Sequence, residues 1–310
     1  MIDFHRKMLA DTVRNEAFAK ALRAAVKPGS VVADIGAGTG FLGFLASRLG
    51  ARECHLYESG DVWAVGKRIA ERNKIKNCAF IHRHSTQVKK PSQADVVVSE
   101  TLGNYALEEH ILETMNDARE RYLKPGGTLI PRGLTQYACP IVSDRLLKEI
   151  DVWGDVGYDI NFAPAREVAF HNAYVRTVTA ADLFPGDGAA QTIDAIDFSQ
   201  PNDSRRTLSA QWKMTADAAV YGCALWWEAE LIPGVTLSTG PFAPPTHWEQ
   251  IVLFLLEPLK VTAGDALLLN ITSDTRMATG LNLTWQMRVF RGGKKVGESA
   301  MMDMRKGSIE

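Results

Sequence analysis

Val31-Val32-Ala33-Asp34-Ile35-Gly36-Ala37-Gly38-Thr39-Gly40 starts as a β-branched run and breaks into glycines. Such a run reads as a strand buried on both faces of a parallel sheet. Phe41 to Leu49 follows with helical spacing and stops at Gly50. A glycine turn between strand and helix stands at the carboxyl edge of a sheet, where open α/β sheets bind ligands. Glycines there allow close backbone approach, and the helix N-terminus offers unpaired N–H groups. Gly36, Gly38 and Gly40 make GxGxG after the acidic Asp34. A dinucleotide fingerprint would need glycine or alanine at 41, where Phe41 stands. Glu58 ends the next strand, 55–58, and a carboxylate there can accept both hydroxyls of a ribose. A nucleoside-containing ligand is the expectation. The alternative is a tight turn beside a solvated strand end.

Outward from this turn, strands are expected at 78–84, 94–100 and 128–131, and helices at 6–26, 61–73 and 107–123. Regular alternation of strand and helix implies a parallel sheet covered on both faces. After Pro131 the texture changes to short alternating segments: 135–142, 207–214, 219–231, 249–257, 266–271 and 281–290. These read as an antiparallel β domain, a barrel or a sandwich. The boundary is placed at 131, giving units 1–131 and 132–310, and 183–204 reads as a long loop.

Composition narrows the function. Thirty-five basic and 36 acidic residues give a net charge of −1 with no long basic run, so no nucleic-acid partner is expected. No apolar stretch is long enough to span a bilayer, and the charged start, MIDFHRKMLAD, is no signal peptide. Cys54, Cys78, Cys139 and Cys223 are scattered, as reduced thiols of a cytoplasmic protein would be. His82 and His84 share a strand face without evident further ligands, so no metal is expected.

Two further stretches carry chemistry. Ser99-Glu100-Thr101-Leu102-Gly103-Asn104-Tyr105-Ala106-Leu107-Glu108-Glu109 begins at the end of the fourth strand. Such a loop can fold back and present Glu100 and Glu109 to one ligand. Two close carboxylates repel and call for a cation, and a planar guanidinium fits between them. The alternative is an exposed acidic turn leading into a helix. Thr246-His247-Trp248 precedes an apolar strand of the β region. It reads either as a site histidine beside a rigid wall or as a turn residue beside a core tryptophan.

Four segments in this order resemble the protein arginine methyltransferase family. They are His5-x-x-Met8-Leu9-x-Asp11-x-Val13-Arg14, the turn 34–40, the loop 99–109 with both acids at the family spacing, and Thr246-His247-Trp248. The resemblance covers most of the chain. It implies a Rossmann-like methyltransferase domain bound to S-adenosylmethionine (SAM), followed by a β-barrel domain with a dimerisation arm at about 153–182. The reaction implied is methyl transfer to a guanidinium nitrogen, on an arginine-containing peptide or on free arginine, in a homodimer. Carried over by position, Glu100 and Glu109 clamp the guanidinium, His247 pairs with Asp11, and Met8 packs by the reacting centre. Arg14 meets the cofactor carboxylate and Glu58 the ribose. His5, Asp34, Gly36, Gly38, Ser59, Ser85, Thr86 and Thr114 complete the cofactor wall. Three departures accompany the likeness. The tyrosine-rich lid before His5 is missing, Thr101 and Asn104 replace aromatics in the acidic loop, and Thr86 replaces an acid near the adenine. Predominantly monomethylated product is the resulting expectation. Of Trp226 and Trp227, adjacent on one strand, one is expected in the core and the other at the surface.

Overall fold

The computed structural model describes residues 2–186 and 188–307; Met1, Asp187 and 308–310, which the sequence-based limits include, lie outside them. Five parallel strands form the first sheet: β1 (Val31–Ile35), β2 (Glu53–Glu58), β3 (Cys78–His82), β4 (Ala94–Ser99) and β5 (Leu123–Ile130). Their order is β3-β2-β1-β4-β5, so the chain reverses direction across the sheet between β1 and β4. All five residues of β1 are buried, and apart from Asp34 near its carboxyl end the strand is apolar. The glycine turn, Glu58 and Glu100 leave the carboxyl ends of β1, β2 and β4, at this switch point.

The helices of this half are α1 (Ile2–Ala10), α2 (Thr12–Ala25), α3 (Phe41–Arg48), α4 (Trp63–Arg72) and α5 (Ile111–Asp117). The single helix expected over 6–26 is two helices. The Asp11 carboxylate accepts the Arg14 N–H at 2.9 Å and caps α2, so the chain restarts there. Apolar spacing continues across the break and hides it. The helix expected from 107 begins at 111, because His110 sits at φ 60 and closes a run of turns.

From Gly133 on, the chain is antiparallel. One sheet runs β7-β12-β10-β6-β8 and carries β11 on β10; the strands are β6 (Gly133–Ile141), β7 (Ala173–Arg176), β8 (Gln191–Asp197), β10 (Ala218–Ile232), β11 (Val235–Ser238) and β12 (Gln250–Val261). The other runs β15-β14-β13-β9 with β16 on β14, from β9 (Arg205–Lys213), β13 (Ala266–Asp274), β14 (Asn282–Arg291), β15 (Lys294–Glu298) and β16 (Met302–Asp303). The barrel expected from the sequence takes the form of two sheets, with no ladder closing them among the described residues. Alternation along β9 is plain, with Leu208, Ala210 and Trp212 buried between exposed neighbours. β8 lies inside the stretch read as a loop: its acids look loop-like, but Asp194 is buried against Arg206 and Ile193 and Ile196 face the core. Two short helices, α6 (Arg145–Ile150) and α7 (Ala163–Phe170), flank an irregular stretch over 151–162.

Candidate active site

A cavity of about 280 Å³ opens at the switch point. Its floor is the glycine turn. Gly36 and Gly38 stand at φ 72 and 54, in the region that side chains avoid. A Cβ on Gly36 would meet Thr101 at 2.6 Å, and one on Gly38 would come within 3.0 Å of the His5 ring. Asp34 lies fully buried below, and its carboxylate accepts the Gly43 N–H of α3 at 2.7 Å. Burial pushes this carboxyl up to about 7, against the pull of that N–H. Glu58 is gripped at both oxygens, by Gly38 N–H at 2.7 Å and Gly60 N–H at 2.6 Å. Each oxygen keeps a lone pair for a hydroxyl.

His5, Met8 and Arg14 descend from α1 and α2 to form one wall. Ser59, Ser85 and Thr114 line the cavity with Glu100 and Glu109. Thr86 does not line it. The turn after β3 folds its hydroxyl back onto His84 Nδ1 at 2.8 Å, and Arg83 and His84 take its place. These two were missed, because a polar turn carries no signature.

The two acids sit in different environments. Arg14 Nε donates to Glu100 Oε2 at 2.7 Å, and its terminal nitrogen reaches the same oxygen, in a fully buried pair. Glu100 Oε1 has only a long contact with Leu102 N–H, at 3.4 Å. Glu109 makes no hydrogen bond to the described residues. As a residue it is exposed, at the mouth of the cavity. Burial, then the charges of Glu100 and Glu108, push it up to about 7.

Beside the mouth, Asp11 Oδ2 accepts from His247 Nδ1 and from His247 N–H, both at 2.8 Å. Burial opposes the Asp11 charge, but the hydrogen bonds from His247 and Arg14 outweigh it and hold the carboxyl below its ordinary value. The pair borders the cavity without lining it. His247 packs on Trp248, ring centres 3.9 Å apart. Trp226 and Trp227 are both buried, unlike the core-and-surface split expected. Trp226 stacks on Tyr137 on one face of β10, and Trp227 turns toward the acidic loop on the other.

Comparison with known proteins places this geometry. A family model described as the arginine methyltransferase oligomerization subdomain matches residues 135–288, and one for the ribosomal protein L11 methyltransferase matches 17–153. The chain is 28% identical to protein arginine N-methyltransferase 6 of Xenopus laevis, over 84% of this chain and 80% of that one. It is 25% identical to probable protein arginine N-methyltransferase 6 of Arabidopsis thaliana, covering 84% and 70%. The chain belongs to the protein arginine methyltransferase family. Among solved structures, the Trypanosoma brucei PRMT1 enzyme–prozyme heterotetrameric complex with AdoHcy superposes with a TM-score of 0.86 at 23% identity, over 97% of this chain and 98% of that one. Arabidopsis thaliana protein arginine methyltransferase 10 follows at 0.84 and 20%, over 98% and 97%.

Membership in the arginine methyltransferases makes this chain a SAM-dependent enzyme, and the cavity fits that molecule. Glycines at positive φ bring bare backbone to the cavity floor, and Glu58 offers paired acceptors to a ribose. The buried Ser85 hydroxyl at the cavity wall has no hydrogen-bond partner among the described residues. His82, by contrast, stacks on Trp63 at 5.0 Å, and no cluster of three metal-ligating side chains occurs among the described residues.

Proposed function

We propose that this chain methylates a guanidinium nitrogen of arginine in a peptide or protein, with Glu100 and Glu109 as the guanidinium clamp. The carrying observation is that both carboxylates line one cavity, and only Glu100 already has a cationic partner. SAM, when bound, supplies an electrophilic methyl group on sulfur. Arg14 is placed for its carboxylate, Glu58 for its ribose, and Ser85 with His84 for its base. Met8, His5 and Thr114 pack the remaining walls and exclude water.

The guanidinium enters as a cation, since its pKa is ~12.5–13.8. Glu100 Oε1 and Glu109 accept its N–H groups and turn one nitrogen toward the methyl group. Positioning supplies most of the rate in such a displacement. As the new N–C bond forms and the methyl group leaves its sulfur, the released proton passes to Glu109, which lines the cavity and makes no hydrogen bond to the described residues. His247 and Asp11 hold α2, and with it Arg14, against the β half.

The remaining assignments share this reading. The cofactor half is 1–131 and the substrate half 132–310, with an arm at about 153–182 that joins two copies. We place the enzyme in the cytoplasm, since all four cysteines are free. No helix among the described residues is long and apolar enough to cross a membrane.

The test is labelled SAM offered with an Arg-Gly-rich peptide and with free arginine. Transfer to the peptide, abolished by Glu100→Gln and Glu109→Gln while calorimetric SAM binding persists, is expected. Transfer to free arginine alone would move the substrate to a small guanidine, and full turnover in both variants would end the clamp assignment.

A further inference from the structure

The acidic loop is held from outside by two indoles. Trp248 Nε1 donates to the Leu102 carbonyl at 2.7 Å, and Trp227 Nε1 donates to the Gly103 carbonyl at 2.9 Å. The two rings meet edge to face, 5.0 Å apart, and both are buried. Trp227 is itself fixed: its N–H donates to Thr239 Oγ1 and its carbonyl accepts the Thr239 N–H. Inside the loop, Glu108 Oε1 accepts the Asn104 N–H at 2.8 Å, and its carboxylate fills the space a Cβ on Gly103 would need, 2.1 Å away. The chain between Glu100 and Glu109 is therefore closed on itself and clasped at two consecutive carbonyls.

Resting on the arginine methyltransferase reading, we infer that Trp227 is a positioning residue that sets the separation of the Glu100 and Glu109 carboxylates through its N–H bond to Gly103. The ring alone does not suffice. Without its donor the Gly103 carbonyl is buried and unpaired, and the loop gains an incentive to shift toward water. A shift of an ångström in a clamp costs rate far more than it costs fold. Trp227 touches neither the cavity nor the cofactor positions, so cofactor binding is left alone.

Trp227→Phe removes the donor and keeps an aromatic ring. The expected result is a kcat about tenfold lower with unchanged SAM affinity by calorimetry, and faster amide hydrogen exchange over 101–108. Trp285→Phe is the control. Trp285 makes the same kind of buried bond, to the Phe254 carbonyl at 2.8 Å rather than to a carbonyl of the loop. It is expected to keep its kcat. Trp227→Tyr, with a donor at the far end of its ring, is the second variant should Phe not fold, and is expected to recover part of the rate. Wild-type kcat and exchange in Trp227→Phe, an equal loss in Trp285→Phe, or SAM affinity falling in step with kcat would each overturn the assignment. A wild-type protein that methylates no arginine would overturn the functional reading instead. The exchange measurement needs no turnover and still decides whether the indole holds the loop.

Discussion

Glu109 and Asp34 carry carboxyls raised to about 7, both chiefly by burial, with the charges of Glu100 and Glu108 adding at Glu109. Glu109 faces the cavity, so a bound guanidinium lowers it again and expels its proton. Peptide binding should therefore strengthen as pH rises from 6 to 8, with proton release detectable by calorimetry in buffers of different ionisation enthalpy. Glu109→Gln should flatten that dependence; an unchanged slope would place the titrating group elsewhere. Asp34 is buried throughout. Its folded carboxyl lies above its ordinary 3.8, so the folded chain holds a proton that the unfolded chain gives up between those values. Stability from this group is present in acid and lost as pH rises toward 7, by at most about 4 kcal/mol at one unit per 1.36 kcal/mol. The ligand-free melting temperature should fall between about pH 4 and 7, and Asp34→Asn, which keeps an acceptor for Gly43, should remove most of that fall.

The break between α1 and α2 joins local structure to the site, because one carboxylate serves both. Asp11 caps α2 through Oδ1 and holds His247 through Oδ2. Asp11→Ala should lower stability by about 2 kcal/mol, the sum of a lost cap and an unpaired buried N–H. Asp11→Asn caps equally well but loses the charge opposite His247. Calorimetric melting near wild type with reduced kcat is the expected outcome, and equal activity in both would confine Asp11 to capping. The capping role was absent from the sequence reading, which ran one helix through it, whereas the turn 34–40 and the alternation of β9, β13 and β14 were plain. The difference is physical. Strand alternation and glycine at positive φ are written in neighbouring residues. The Trp227–Gly103 bond spans 124 positions and Arg14–Glu100 spans 86, so neither leaves a local trace. β8 was hidden because Asp194 is buried by a partner, Arg206, that only the fold supplies. The acids of the loop were legible as a pair, but not the way Arg14 already holds one of them.

At the scale of the molecule, the stretch 151–162 stands out for its exposed apolar side chains. Tyr158 is 90% exposed, Ile160 59% and Val152 52%, on a segment without regular structure. Apolar side chains gathered on a projecting segment call for a covering surface. α1 has the complementary need: it buries none of its residues in the single chain, yet His5 and Met8 on it wall the cavity. An arm from a second copy, packed on the cofactor half, would meet both needs, and reciprocal contacts of this kind close as a two-fold dimer. The wild-type protein should sediment as a dimer at micromolar concentration. Tyr158→Glu with Ile160→Glu alters exposed positions only, so the chain should fold, sediment as a monomer, bind SAM more weakly because α1 is less well held, and turn over slowly. A wild-type monomer, or a monomeric double variant with full SAM affinity and rate, would show that the cavity is complete in one chain.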